Sequence, residues 1–374
     1  MRIAATLTLV ILAAAGPLSP AAMGSPFATR VVAFDPAPGQ FVRVAGYSDP
    51  AKALGAPGPN GGTIFADNSK VVSLGGLGGS ITLGFDRPVW RNRFNPRGCD
   101  FIVYGNAIFA GGDPLRRFAE CGIIEVSRDD NGNALADDAW YLVPGSHLAA
   151  GSARVSVSSD ASTLNPLWVP PGRTGVWVVQ TYQLTSPDVT THVLVNAGAS
   201  GVGGVGDAEQ VFGYADLVPT MVLGDSDGDG VADDPDQLPT PEAFYTRPDD
   251  PLLVGVSPGS GGGSAVRIAW AVNPLGGVAA NLDRIDFVRI TSGVGTISAV
   301  LGEVSTEVSG VADVGPEYTP DWDQNGVKDV RDIFAFLSDW FARGGENGGA
   351  DFDGSAATGV GDIFAFLAAW FAGP

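Results

Sequence analysis

The stretch Asp332-Ile333-Phe334-Ala335-Phe336-Leu337-Ser338-Asp339-Trp340-Phe341-Ala342 recurs as Asp362-Ile363-Phe364-Ala365-Phe366-Leu367-Ala368-Ala369-Trp370-Phe371-Ala372. The shift is 362 − 332 = 30 residues, and every large apolar residue is conserved in place. Those residues fall at i, i+1, i+3, i+4, i+7 and i+8, which is helical periodicity. Each predicted helix is about three turns long, and helices that short are marginal in isolation. A duplicated pair can instead bury its aromatic faces against one another.

An acidic loop precedes each helix. In the first, Asp321, Asp323, Asn325, Gly326, Val327, Asp329 and Asp332 occupy positions 1, 3, 5, 6, 7, 9 and 12 of an EF-hand-like loop. Alternate side chains and one backbone carbonyl then converge on a hard cation, while glycine permits the sharp turn. Oxygen donors of this kind suit calcium. In the second loop Asp351, Asp353, Ser355 and Asp362 hold positions 1, 3, 5 and 12. Ala356 stands where glycine is expected and Gly359 replaces the ninth-position ligand, so weaker binding is expected. Two further loops lie upstream. Asp225, Asp227, Asp229, Gly230, Val231, Asp233 and Asp236 repeat the full register, and Asp129, Asn131, Asn133 and Asp137 repeat it without the glycine. An Asx-rich hairpin turn is the alternative for the last.

From Phe27 to about Asp313 the pattern changes to short apolar runs punctuated by turn residues. Among them are Ser80–Phe85, Asp100–Tyr104, Ile123–Ser127, Thr174–Val179, Ala265–Ala271, Ile285–Thr291 and Gly302–Val308. The chain contains 53 glycines and 27 prolines, which favours turns and short strands over long helices. The expected fold class is mainly β, a β-sandwich or jelly roll over residues 25–313, with an insertion at about 224–263. The glycine-serine run Ser257–Ser264 reads as a flexible connection closing that insertion. A linker at 314–320 leads to the calcium-binding module at 321–374.

The N-terminus, Met1-Arg2 followed by an apolar run to Ala15, has the form of a secretory signal over residues 1–24. The mature chain is therefore expected outside the cell or at its surface, without a transmembrane segment. Under oxidising conditions Cys99 and Cys121 are expected to form a disulfide, with two buried free thiols as the alternative. A formal charge of −20 opposes nucleic-acid binding, which needs a basic surface. His147 and His192 are the sole histidines, leaving little room for histidine chemistry.

Other patterns carry less weight. Gly201 to Gly206 fits G-x-G-x-x-G but lacks a following helix of useful length, and reads as a loop. Glu120 with Glu125, and Glu303 with Glu307, are candidate carboxylate pairs. On one strand Glu303 and Glu307 would lie about 13 Å apart, too far for a glycosidase pair. Trp140, Tyr141, Trp168, Trp177, Tyr214 and Trp270 could offer a sugar-stacking platform, although such residues more often pack cores.

The paired loops, each feeding a short helix with aspartate at position 12, resemble the type I dockerin. The Asp-Ile-Phe-Ala-Phe-Leu…Trp-Phe-Ala signature is similar to the dockerin-like C-terminal modules of secreted planctomycete proteins. That resemblance spans about Asp321 to Pro374 and implies a calcium-dependent contact with a cohesin-like or other surface scaffold protein. Leu74 to Asp86, Asp100 to Ala107, Asp137 to Leu142 and Leu301 to Val308 together resemble a family of exported bacterial cell-surface proteins. It implies a galactose-binding-like or related β-sandwich and no established reaction. The expected function is a secreted calcium-binding cell-surface protein, non-catalytic, for adhesion or glycan binding. A polysaccharide-degrading enzyme and a structural envelope component are the alternatives.

Overall fold

The computed structural model describes residues 24–39, 41–58, 68–109, 116–145, 154–160, 176–182, 193–195, 212–252, 256–275, 277–293, 297–298, 302–303, 305–342, 350–353 and 358–372. Residues 1–23 of the expected signal, the glycine motif at 201–206, His147, His192, Trp168 and Ser355 lie outside the described residues, and Trp177 and Glu303 are described by backbone alone. The chain divides into two compact units, Gly24–Thr319 and Pro320–Pro374. No described helix is long and apolar enough to cross a membrane.

The larger unit is mostly antiparallel β. Its main sheet runs Arg30–Asp35, Ser80–Trp90, Arg284–Ser292, Gly122–Ser127 and Tyr214–Ala215, with Trp140–Val143 also paired to Gly122–Ser127. Along Ser80–Trp90 the residues Ile81, Leu83, Phe85 and Val89 are buried and share one apolar cluster, as the two-residue period of a strand requires. Ile124, Val126, Val288 and Ile290 join them from the neighbouring strands. A bulge between Ile285 and Phe287 restores the phase, so Ile285 also points into this core.

A three-stranded sheet has Phe101–Tyr104 between Ser264–Val266 and Gly310–Asp313. Phe101 and Val103 enter the cluster that the main sheet builds, while Ile102 and Tyr104 enter another with Met221, Phe244 and Tyr245. All four residues of Phe101–Tyr104 are therefore buried. A strand covered on both faces reads as an unbroken apolar run, and burying each such side chain contributes about 1.5–3 kcal/mol.

Several local expectations need correction. The Ser257–Ser264 run is packed and bonded where it is described. Gly259 N donates to Ser226 O at 2.7 Å and Gly263 N to Pro219 O at 3.0 Å. Gly262 and Gly263 have φ of 72°, and a Cβ on Gly263 would lie 2.6 Å from the Tyr104 ring. Glycine serves close approach here rather than slack. The expected strand Ala265–Ala271 ends at Val266, because the Ile268 amide turns to donate to Asp100 Oδ2 at 2.8 Å and a 3-10 turn follows. Gly302–Val308 is not one strand: Gly302–Glu303 pairs with Ile297–Ser298, and Glu307–Val308 pairs with Val72–Ser73.

The expected disulfide is not formed; Cys99 and Cys121 are both buried thiols. Cys99 precedes Phe101–Tyr104, whereas Cys121 packs in the cluster that holds Ala107, beyond the other end of that strand. A span of that length exceeds the 7 Å limit between the Cα atoms of a disulfide. Burial pushes the Cys99 thiol up to about 12.

The smaller unit contains the helices Val330–Ala342 and Val360–Phe371. Phe336 and Phe366, thirty residues apart in the repeat, stack with centroids 4.2 Å apart and planes at 1°. Trp322 meets Phe336 edge-on at 4.9 Å, and its repeat counterpart Phe352 meets Phe366 at 5.4 Å. Trp340 Nε1 donates to Gly359 O at 2.8 Å, and reciprocally Trp370 Nε1 donates to Asp329 O at 3.2 Å. Each helix thus anchors the other repeat's loop, as a near two-fold arrangement demands.

Candidate cation-binding sites

Three of the acidic loops share one hydrogen-bond ladder. The residue at position 1 accepts backbone amides from the far side of the loop: Asn325 and Gly326 on Asp321, Asn133 and Ala134 on Asp129, Gly228 and Gly230 on Asp225. The side chain at position 3 accepts the amide of position 5: Asp323 from Asn325, Asp227 from Asp229, Asn131 from Asn133. Position 5 then accepts the amide of position 7, with Asn325 to Val327 at 2.8 Å, Asp229 to Val231 at 2.8 Å and Asn133 to Leu135 at 2.7 Å. Position 6 has positive φ in all three, 83° at Gly326, 88° at Gly230 and 59° at Ala134. Alternating Asx turns about a left-handed residue curl the side chains to one side.

The loops differ in which carboxylates converge. Oxygens of Asp321, Asp323 and Asp332 lie within 4.8 Å of one another, as do those of Asp351, Asp353 and Asp362. Asp332 and Asp362 are buried and hold the loops shut, Asp332 accepting from Asp323 N at 3.1 Å and Asp329 N at 2.8 Å. Asp362 makes the same pair of contacts, with Asp353 N at 3.0 Å and Gly359 N at 2.6 Å. Asp329 stays outside the three-carboxylate group and its Oδ1 accepts from Arg331 N at 2.7 Å.

In the upstream loop Asp225, Asp227 and Asp229 converge within 4.8 Å, whereas Asp233 and Asp236 do not join them. Asp233 instead accepts from Ser226 N at 2.7 Å, and bonds from the Ser226 hydroxyl and amide together lower its pKa. Burial raises that of Asp225. In the remaining loop Asp137 is taken up by the amide groups of Asn131 and Asn133 at 3.1–3.3 Å, so the ring closes through side-chain donors.

A further carboxylate group was missed from the sequence: Glu120, Asp216 and Glu307, with oxygens within 4.8 Å of one another. Strand pairing assembles it. Tyr214–Ala215 pairs with Gly122–Ile123, which sets Asp216 beside Glu120, and Glu307 begins the strand paired with Val72–Ser73. Asp216 Oδ1 accepts Asn106 N at 2.8 Å and Ala107 N at 2.9 Å, while Oδ2 accepts Glu307 N at 3.1 Å. Glu307 Oε1 accepts from Ser305 Oγ, which in turn accepts from Ser73 Oγ at 3.0 Å. Asp216 and Glu307 are 0% and 2% exposed, and Glu120 keeps some surface at the rim.

Burial raises the pKa of all three groups, and Glu307 adds to the rise at Glu120 and Asp216. At 4.8 Å two charged carboxylates repel by about 3–4 kcal/mol at an effective dielectric of about 20. Three charges therefore require protons or a cation among them. None of the ion pairs among the described residues reaches this group.

The carboxylate pairs expected from sequence separate accordingly. Glu120 belongs with Glu307, and Glu125 faces Arg289 across the strand pair at 3.5 Å. Of the aromatic residues expected as a sugar platform, Tyr214 is fully buried and Arg289 lies 3.7 Å over the Trp140 ring. A clue to the missed group was present, since Asp216 is the single acid inside an apolar stretch, Phe212–Val218. No protein-family model matches the chain, and no curated protein matches it.

Proposed function

We propose that this is a secreted calcium-binding cell-surface protein. In this reading its β unit, a two-sheet sandwich, acts in adhesion or glycan binding without catalysis, and its dockerin-like C-terminal unit docks onto a scaffold protein. One observation carries the docking assignment: the duplicated helices keep matched aromatic residues outside as well as inside. Phe334 and Phe364 are 67% and 69% exposed, and Phe341 and Phe371 are each 73% exposed. With Val330 and Val360 they form, on each helix, an outward apolar stripe at i, i+4 and i+11. Repeated exposed apolar surface of this kind marks a protein interface. Calcium in the Asp321–Asp332 and Asp351–Asp362 loops would set the angle between loop and helix, making the interface calcium-dependent.

The polysaccharide-hydrolase alternative gains nothing from Glu120, Asp216 and Glu307. A glycosidase must place its carboxyls on either side of a sugar, and two of these three side chains are closed to solvent. The test is affinity capture on immobilised full-length protein from envelope extracts of the producing cell, with calcium and with chelator. The Phe334→Ser/Phe364→Ser double variant runs alongside. A scaffold protein retained with calcium, released by chelator and lost in the variant supports docking; equal retention in all three arms overturns it. Release of reducing sugar from a polysaccharide panel by the purified chain would overturn the non-catalytic assignment.

A further inference from the structure

We propose that Glu120, Asp216 and Glu307 form an internal site for a hard divalent cation, calcium in the first instance, tying together three segments of the larger unit. This goes beyond the surface loops, since it draws ligands from positions 120, 216 and 307 rather than from one contiguous motif. Two independent observations carry it. The first is convergence: an oxygen from each carboxylate lies within 4.8 Å of the others.

The second is an unmet acceptor. Glu307 is 2% exposed, its Oε1 is taken by Ser305, and its Oε2 is enclosed with no amide or hydroxyl donor, so that only a proton on the neighbouring Glu120 carboxyl or a cation can meet it. A buried acceptor without a partner is rare in folded proteins and calls for an explanation. Here the neighbours facing it are carboxylate oxygens, which cannot donate when ionised. A cation at their centre satisfies Oε2 and offsets the like charges in one step.

The surroundings match a hard cation in kind. The described side chains that complete the group, Ser73 and Ser305, bring hydroxyl oxygens, and the three principal donors are carboxylates. All-oxygen sites favour calcium, magnesium or manganese over zinc or copper, and calcium tolerates irregular donor sets better than magnesium does. Asp216 is held ready for the role. Three backbone amides fix its carboxylate, and its backbone keeps φ of 51°, in the left-handed region. Non-glycine residues held there are commonly part of a functional constraint.

The consequence is a sign reversal between the cation-free and cation-bound protein. Without cation the three acids oppose one another, so Glu307→Gln should leave the chelated protein as stable as the parent or more so. With calcium, the parent should gain stability that the variant lacks. The experiment uses the full-length protein with calcium chloride as the ligand. Bound calcium is counted by elemental analysis after desalting, and the larger unit's unfolding is followed by calorimetry with calcium and with chelator.

Parent, Glu307→Gln, Glu120→Gln and Asp225→Asn are compared. The expected result is one calcium fewer in each glutamate variant, with the calcium-dependent rise in the larger unit's melting temperature reduced. Asp225→Asn should keep the part of the rise that the glutamate variants lose, which separates this site from the surface loop. The Glu120 variant, at the rim, serves if Glu307→Gln does not fold. Equal calcium content and equal calcium dependence in parent and glutamate variants would overturn the proposal and assign the group a shared proton instead. Failure of C-terminal docking would leave this result untouched.

Discussion

Phe366 and Phe364 stand two residues apart on one helix, have the same side chain, and should respond to truncation to very different extents. Phe366 is fully buried and stacked on Phe336 at 4.2 Å, whereas Phe364 is 69% exposed. Removing a buried phenylalanine side chain costs about 3–5 kcal/mol. The unit Pro320–Pro374 has 374 − 320 + 1 = 55 residues. At about 0.05–0.15 kcal/mol per residue its total stability is about 3–8 kcal/mol. Phe366→Ala should therefore consume most of it and leave the unit near its midpoint at room temperature.

Phe364→Ala should stay within about 0.5 kcal/mol of the parent. For a unit of this size that shifts the melting temperature by about 4 °C or less. The assay is the thermal melt of ellipticity at 222 nm in saturating calcium. Among the described α-helices the only one outside this unit is the short Pro241–Phe244, so the signal follows Val330–Ala342 and Val360–Phe371. Equal losses in the two variants, or a loss above about 1.5 kcal/mol for Phe364→Ala, would refute the assignment of inner and outer faces.

Calcium removal should lower the same helical melt: a ligand at a hundred times its dissociation constant contributes about 2.7 kcal/mol per site, and a melt unaltered by exhaustive chelation would contradict the loop assignment. Gly105→Ala should destabilise the larger unit by about 2–4 kcal/mol in urea unfolding, because the added Cβ would lie 2.2 Å from Asp216 Oδ1 and 2.8 Å from Glu307 O; an unchanged midpoint would show that this turn yields. Asp313 gives a pH signature. Burial raises its pKa to about 7, against the pull of Arg87 at 2.8 Å. A carboxyl raised in the folded state favours folding most at low pH, and that contribution is lost as pH climbs from about 4 through about 7. Relative to the parent, Asp313→Asn should therefore gain about 2–3 kcal/mol between pH 5 and pH 8; a flat or inverse difference would refute the direction.

The repeat helices and the loop ladders were legible because their causes are local. Helical period, Asx turns and a left-handed sixth residue act within a dozen positions, so Asp321 to Asp332 can be read without knowing its neighbours. The β character of residues 24–319 was legible for the same reason, from short runs broken by turn formers. Errors arose where a distant group overrode the local pattern. Asp100 draws the Ile268 amide out of strand geometry, and the tight approach of Pro219 and Tyr104, rather than flexibility, accounts for the glycines near 262.

The chain sequence by itself determined where turns and periods fall, including the spacing of oxygen donors in each contiguous loop. Which aromatic of each helix is interior was beyond it, because Phe334 and Phe336 lie on two apolar faces of one helix and only the partner helix distinguishes them. The meeting of Glu120, Asp216 and Glu307 was likewise decided by tertiary structure. Their positions are separated by 96 and 91 residues, from 216 − 120 and 307 − 216, and they come together through strand pairings whose register depends on how the whole core packs.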